Sequence, residues 1–195
     1  MSKAIVVPGR SKTDIEQSAI RMLSQFLPSA IKQPEIVNIE YLFEIVIPEH
    51  YKIKTEYCDL SGLGYNVLGY TNAQLKKSFI DKSLSDYEDH STRRLFRSTV
   101  AHEIKHCVKH VQILNYFKSI CTDKDDDNLY RREKSTIKPY EDPEWQAWFF
   151  AGALLMPSHH ILTLHKRGCS VGEMADIFDV NPAFVSSRIR RLGLK

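Results

Sequence analysis

With 195 residues, 43% of them apolar and 26% charged, the chain has the size and make-up of one compact globular domain with at most a small appendage. That excludes a disordered or low-complexity protein. Lys and Arg (27) against Asp and Glu (24) leave a net charge of +3, too near balance for a protein devoted to nucleic acid on charge alone. No apolar run nears the roughly 20 residues that span a bilayer, and the apolar patch at 4–7 is too short for a signal-peptide core. A cytoplasmic chain with no membrane contact is the expectation. Cys58, Cys107, Cys121 and Cys169 stand far apart with no Cys-x-x-Cys and read as reduced thiols.

In chain order, Thr13-x-x-Glu16 has the form of a capping box. Ile15, Ala19, Met22, Leu23, Phe26 and Leu27 then recur at helical spacing up to Pro28. A second helix is expected over 38–45, with Pro48 beyond it. The texture changes over 51–84, where 51–57 alternates and 66–70 and 78–80 are short β-like runs separated by Gly and Asn. These predict a small three-stranded sheet, read as antiparallel. Helical spacing returns at Arg93 and runs to Ile120, with Leu95, Val100, Ile104, Val108, Val111, Leu114 and Phe117 on the apolar side.

The stretch 122–139 is polar and reads as a loop. Its Asp123-x-Asp125-x-Asp127 triplet is not a calcium loop, since Asn128 stands where Gly is needed and Lys134 where the bidentate Glu is needed. A third major helix over 143–156 is apolar nearly all round and so belongs at the centre of the fold. Two short helices, 171–178 and 182–192, close the chain. The class is α+β.

The residues that carry chemistry are His102-Glu103-Ile104-Lys105-His106. H-E-x-x-H arises by chance roughly 0.02 times in a chain of this composition, and here it falls in a segment that is helical on independent grounds. At about 3.6 residues per turn the two imidazoles stack one turn apart and can share one metal ion. Glu103 sits about a quarter turn away, suited to take a proton from water as general base. A catalytic zinc takes three protein ligands and keeps one position open, and two routes lead to the third. His110 extends the row, but about 12 Å separates it from His102 along a straight helix, which favours a supporting role beside the ligands. Glu144 opens the apolar helix, and Ala147 and Ala151 on its face permit close approach to the histidine helix. Against that, a Glu in a first turn is often explained by the helix dipole alone. Glu141 and Asp142 are nearby competitors outside the helix.

Two longer strings resemble a known family. Ser98-Thr99-Val100-Ala101-His102-Glu103-Ile104-Lys105-His106, closed by His110, is similar to F-T-x-A-H-E-x-G-H-x-x-x-H. Glu144-x-x-Ala147-x-x-Phe150-Ala151-x-x-Leu154-Leu155-Met156-Pro157 is similar to E-x-x-A-x-x-F-A-x-x-L-L-M-P. Both belong to the ImmA/IrrE metallopeptidases. The likeness extends over most of the chain and includes Ile15-Glu16 in the first helix. It implies a zincin-like helical domain with the small sheet and a C-terminal helix-turn-helix-like pair. It also implies metal ligands at His102, His106 and Glu144, a catalytic carboxylate at Glu103, zinc (with manganese as the alternative ion), and cleavage of a helix-turn-helix repressor that switches on mobile-element or stress genes. Two departures stand out. Lys105 replaces the usual Gly, and Gln146-Ala147-Trp148 replaces the frequent Glu-Ala-Asn.

The expected division is a metallopeptidase domain over 1–164 with a helical pair over 165–195 packed on it, or a single domain over 1–195. Met174 to Ile189 has helix-turn-helix spacing, and residues 165–195 carry six basic and three acidic side chains. DNA contact is compatible with that balance but not favoured. Arg93, Arg94 and Arg97 read as a solvated face, and His50, His90, His159, His160 and His165 as exposed. Trp145, Trp148 and Phe149 read as core. The sheet edge over 77–80 is the expected place for a substrate strand, and no oxyanion-stabilising residue stands out among nine tyrosines. The alternative function is a regulatory protein that binds a repressor or DNA without proteolysis, its metal site structural or vestigial.

Overall fold

The computed structural model describes residues 3–64, 67–87, 89–120 and 131–194. Strand β1 (Lys3–Ile5) leads to helix α1 (Lys12–Phe26). Its cap is Ser11, whose hydroxyl accepts from the Asp14 amide while the Asp14 carboxylate accepts from the Ser11 amide. The capping box therefore sits two residues earlier than Thr13–Glu16, which leaves Glu16 available for a tertiary contact. After the short α2 (Ser29–Lys32), helix α3 (Ile39–Tyr41), capped by Asn38, runs on into π-helical turns over Leu42–Tyr51. Pro48 lies inside those turns and does not end them; Lys52, with φ +57°, does.

Strands β2 (Lys54–Cys58), β3 (Gly69–Asn72) and β4 (Lys77–Asp81) form a sheet in the order β2-β4-β3. The expectation of an antiparallel sheet holds for β3–β4 alone, because β2 and β4 run parallel. The turn over 73–76 makes β3 and β4 a hairpin, and β4 returns between β2 and β3. Thus the stretch 77–80 is the central strand, and the edge strands are β2 and β3. The Asp81 carboxylate accepts the Leu60 amide and ties the crossing loop down.

Helix α4 (His90–Lys105) is capped by Asp89, passes through a π-helical turn at His106–His110 and continues as α5 (Val111–Ile120). The expected continuous helix is therefore widened at one turn, a distortion that concentrates at functional sites. In the stretch read as a loop, strand β5 (Arg131–Glu133) pairs antiparallel with β1, a second small sheet that the composition did not signal. The Asp123–Asp127 triplet and Cys121 lie outside the described residues.

Helix α6 (Pro143–Leu155) starts on Asp142, with Pro143 in its first turn, where a missing amide hydrogen costs nothing. Nearly every side chain from Gln146 to Leu155 is buried, and α1 and α4 pack on either side. Helices α7 (Ser158–Lys166), α8 (Val171–Phe178) and α9 (Pro182–Arg191) follow. The chain is thus mostly helical, α+β, with a mixed three-stranded sheet and a two-stranded one. No single described helix is long and apolar enough to cross a membrane.

Two ionic contacts hold α8 and α9 down. Arg188 of α9, only 1% exposed, pairs with Glu16 of α1 and donates to the Met156 carbonyl. Asp179, at the end of α8, faces Arg93, Arg94 and Arg97 of α4. Those arginines are therefore not a solvated face: Arg97 is buried and its Nε donates to the Asp179 carbonyl. His160 is likewise buried, its Nε2 beside the Ala30 carbonyl, where exposure was expected.

Candidate metal centre

His102 and His106 face one way from α4, while Phe96, Val100 and Ile104 fill the core on its other side. Glu144 reaches the same point from the first turn of α6, where Asp142 accepts its amide hydrogen. Ala147 and Ala151, fully buried further along, keep α6 close to α4. His106 Nε2 lies 3.0 Å from His102 Nε2 and 3.4 Å from Glu144 Oε1, and His102 Nε2 lies 3.1 Å from Glu144 Oε2. One donor atom from each residue falls within 4.8 Å of the others.

Those separations fit one divalent cation. Nitrogen and oxygen donors about 2.0–2.1 Å from a tetrahedral zinc stand roughly 3.3 Å from one another, the spacing found here. His106 is held in the neutral form a metal needs, because burial pushes it well below the usual histidine range. The hydrogen bond from His102, against the opposing effect of burial, keeps Glu144 ionised. Glu144 is exposed at the cleft mouth, so the fourth side is open to solvent.

Glu103 belongs to the cleft but not to the triangle of donors. It is 5% exposed, and its Oε2 accepts from Thr71 Oγ1 at 2.6 Å, with Ser78 Oγ 2.8 Å beyond. Burial pushes its pKa up to about 7, although the neighbouring His102 and the Thr71 hydroxyl pull the other way. A carboxylate poised near neutrality is matched to accepting a proton and giving it up again. Gly69 on β3 makes room for it: a Cβ there would stand 2.8 Å from Glu103 Cγ and Oε1 and 3.0 Å from Thr99. Gly69→Ala is therefore expected to leave the three donor atoms in place but displace the carboxylate, and to lower any reaction in which Glu103 moves a proton on the order of 100-fold. Turnover measured beside metal content checks it, and undiminished turnover would contradict the crowding.

The cleft encloses about 540 Å³ and runs between β3 and the two metal helices. Trp148 lines it with its ring centroid 4.5 Å from that of His102. At 38% exposed it is not the core residue its type suggested. Among the described lining residues Tyr70 is the one tyrosine, which narrows the nine candidates. Thr71, Gly69 and Trp148 are site residues that sequence reasoning missed. Only Gly69 carried a local signal, since a glycine inside a strand often marks a close approach.

His110 is buried beside His106, its Nδ1 3.0 Å from His106 Nδ1 and its Nε2 3.3 Å from Gln146 Oε1. Glu141 and Asp142 stay outside the donor group; Asp142 caps α6 and Glu141 faces Arg132.

Lys105, the departure beside the second histidine, is 2% exposed, lies over the Phe150 ring and is absent from the cleft wall. Burial lowers its pKa from 10.5 to about 8. The unfolded chain then holds this proton up to about pH 10.5 and the folded chain only to about pH 8, so stability rises with pH between those values. Replacing the charge, as in Lys105→Met, is expected to stabilise the protein at pH 7 by up to about 3 kcal/mol. It should also flatten that rise. Urea denaturation of both proteins at pH 7 and pH 10 checks this, and a variant no more stable at pH 7 contradicts it.

A mostly helical α+β fold in which two histidines and a glutamate converge from two helices defines a scaffold able to hold one divalent cation. Residues 84–190 match the IrrE N-terminal-like domain, Peptidase M78. The chain belongs to this family. No curated protein matches the chain. A solved structure described as a Mycobacterium tuberculosis transcriptional regulator is similar in fold, with a TM-score of 0.55 at 12% identity over 91% of this chain and 46% of that one. The chain thus spans less than half of that regulator's length.

Proposed function

We propose that the protein is a zinc-dependent endopeptidase, with His102, His106 and Glu144 as metal ligands, Glu103 as general base, and a helix-turn-helix transcriptional repressor as substrate in the cytoplasm. The observation that carries the reading is the triangle of three donors with a buried carboxylate beside it and an open side facing a cleft. A bound divalent cation supplies Lewis-acid polarisation of a peptide carbonyl and acidifies water. Glu103, oriented by Thr71, takes the proton of the attacking water and later gives it to the amine nitrogen of the leaving peptide. Strand β3 has no strand partner on its outer side among the described residues, and Gly69, Tyr70 and Thr71 line the cleft. A substrate added alongside β3 as an extended strand would bring its backbone past Glu103.

The alternative of a regulator acting on DNA through α9 gains nothing from Arg188, which is buried against Glu16, and leaves Arg190 as the exposed arginine of that helix. The test is to incubate the purified, zinc-loaded protein with helix-turn-helix repressors from the same genome, with and without chelator. Discrete fragments without chelator and intact repressor with it are expected. Intact repressor in both would leave the binding reading in its place.

A further inference from the structure

The metal reading requires His106 to present a bare Nε2 to the donor triangle, yet a neutral imidazole carries its one proton on either nitrogen. In water the two forms interconvert freely. A buried histidine takes the form its neighbours impose, and here a chain of hydrogen bonds runs outward from His106 to the backbone of two distant segments.

Gln146 anchors the outer end. Its Nε2 lies 3.1 Å from the Pro8 carbonyl and 2.8 Å from the Tyr140 carbonyl. Both partners are acceptors only, so the amide must present its NH2 to them, and a flipped amide would set Oε1 against two carbonyl oxygens. With the amide so fixed, Oε1 faces His110 Nε2, 3.3 Å away. That nitrogen must therefore carry the His110 proton. His110 is 1% exposed with no carboxylate against it among the described residues, and a neutral ring that donates from Nε2 leaves its Nδ1 as a bare acceptor. His106 Nδ1, 3.0 Å from that acceptor, must then be the N–H. The remaining nitrogen of His106, Nε2, is left with its lone pair toward His102 and Glu144.

We propose that Gln146 is a positioning residue of the metal centre, acting through His110 to fix His106 in the tautomer whose Nε2 is free to bind the cation. The inference rests on the metal reading for its purpose but not for its geometry. The two ligands differ in this respect, since His102 Nδ1 is buried with no hydrogen-bond partner among the described residues. The control of ligand form thus lies on the His106 side, where an acceptor such as His110 also raises the basicity of the coordinating nitrogen.

Two measurements decide the proposal. In the metal-free, 15N-labelled protein, long-range 1H–15N correlation is expected to show His106 protonated at Nδ1 and His110 at Nε2. In Gln146→Met, which removes the acceptor at similar volume, the His106 signals should move toward a mixture of the two forms. Competition of zinc against a chelator of known affinity is expected to show binding weakened 10- to 100-fold in Gln146→Met and at least as much in His110→Phe. The double variant should be no weaker than His110→Phe alone, because the effect of Gln146 passes through His110. Protonation of wild-type His106 at Nε2 overturns the proposal, and so do additive losses or an unchanged affinity in folded Gln146→Met. If Gln146→Met fails to fold, the wild-type spectrum still decides. A wild-type protein that binds no zinc would sink the peptidase reading and leave the tautomer result standing.

Discussion

Glu103→Gln is expected to lower peptide hydrolysis by 10²- to 10⁴-fold while leaving metal content unchanged. The amide keeps the size of the side chain and an oxygen for the Thr71 hydroxyl, so the cleft wall over Gly69 is not rebuilt. What disappears is the ability to accept a proton. The three donor atoms belong to other side chains, His102, His106 and Glu144, and their spacing does not depend on position 103. A stability signature should accompany the loss in metal-free protein. The folded wild-type chain holds the Glu103 proton up to about pH 7, above the 4.5 of a free carboxyl, because burial disfavours the charge. Wild-type stability should therefore fall as the pH climbs from 4.5 through 7. The amide carries no such dependence, and Glu103→Gln should be the more stable protein above pH 7. Turnover, bound zinc and urea midpoints measured on one preparation check all three. Retained turnover with full metal would remove Glu103 from the chemistry.

Asp179→Ala is expected to cost about 3–5 kcal/mol of stability, the usual penalty for stripping one partner from a buried ionic contact. Asp179 is 2% exposed, and burial by itself would raise its pKa. The Arg93 hydrogen bond and the charges of Arg97, Arg93 and Arg94 outweigh that and hold it below the ordinary range. Without the carboxylate, the buried Arg97 guanidinium keeps only backbone acceptors, the carbonyls of residues 178 and 179. A second cost is local. Asp179 has φ +50°, a left-handed conformation that Asp and Asn tolerate better than Ala. Asp179→Asn should therefore lose less. Because the native carboxylate titrates below its unfolded value, its contribution is present above the unfolded pKa and fades as the pH falls through the folded one. Urea denaturation of both variants at pH 7 and pH 3 tests this. A loss below about 1 kcal/mol in Asp179→Ala would mean that the cluster is solvated in effect.

The site was more legible than the scaffold that supports it. His102, Glu103 and His106 announce themselves because helical period alone fixes their relative directions. Glu144 could be put forward because the small residues after it say how close its helix can come. Strand order is different in kind: the pairing of β2 with β4 joins segments separated by a hairpin, and no local pattern states whether β4 returns inside or outside β3. The arginines of α4 looked solvated because their partner, Asp179, lies more than 80 residues away. Position 146 shows the same limit. A glutamine in place of a frequent glutamate reads as a minor exchange until the Pro8 and Tyr140 carbonyls are seen to require a donor there. Trp148, read as core, is an indole beside the cleft, and Lys105 is an ammonium inside the core. Residue type gives an average burial, and both depart from it where α4 and α6 meet.

The account stands on one metal ion being held jointly by α4 and α6. The direct measurement is the zinc stoichiometry and affinity of the wild-type protein beside Glu144→Ala, each folded by circular dichroism and titrated against a chelator. One zinc per chain in the wild type, and binding weakened at least 100-fold when the carboxylate is removed, is the predicted result. Equal affinity in the two proteins, or no zinc bound by the wild type, would contradict it.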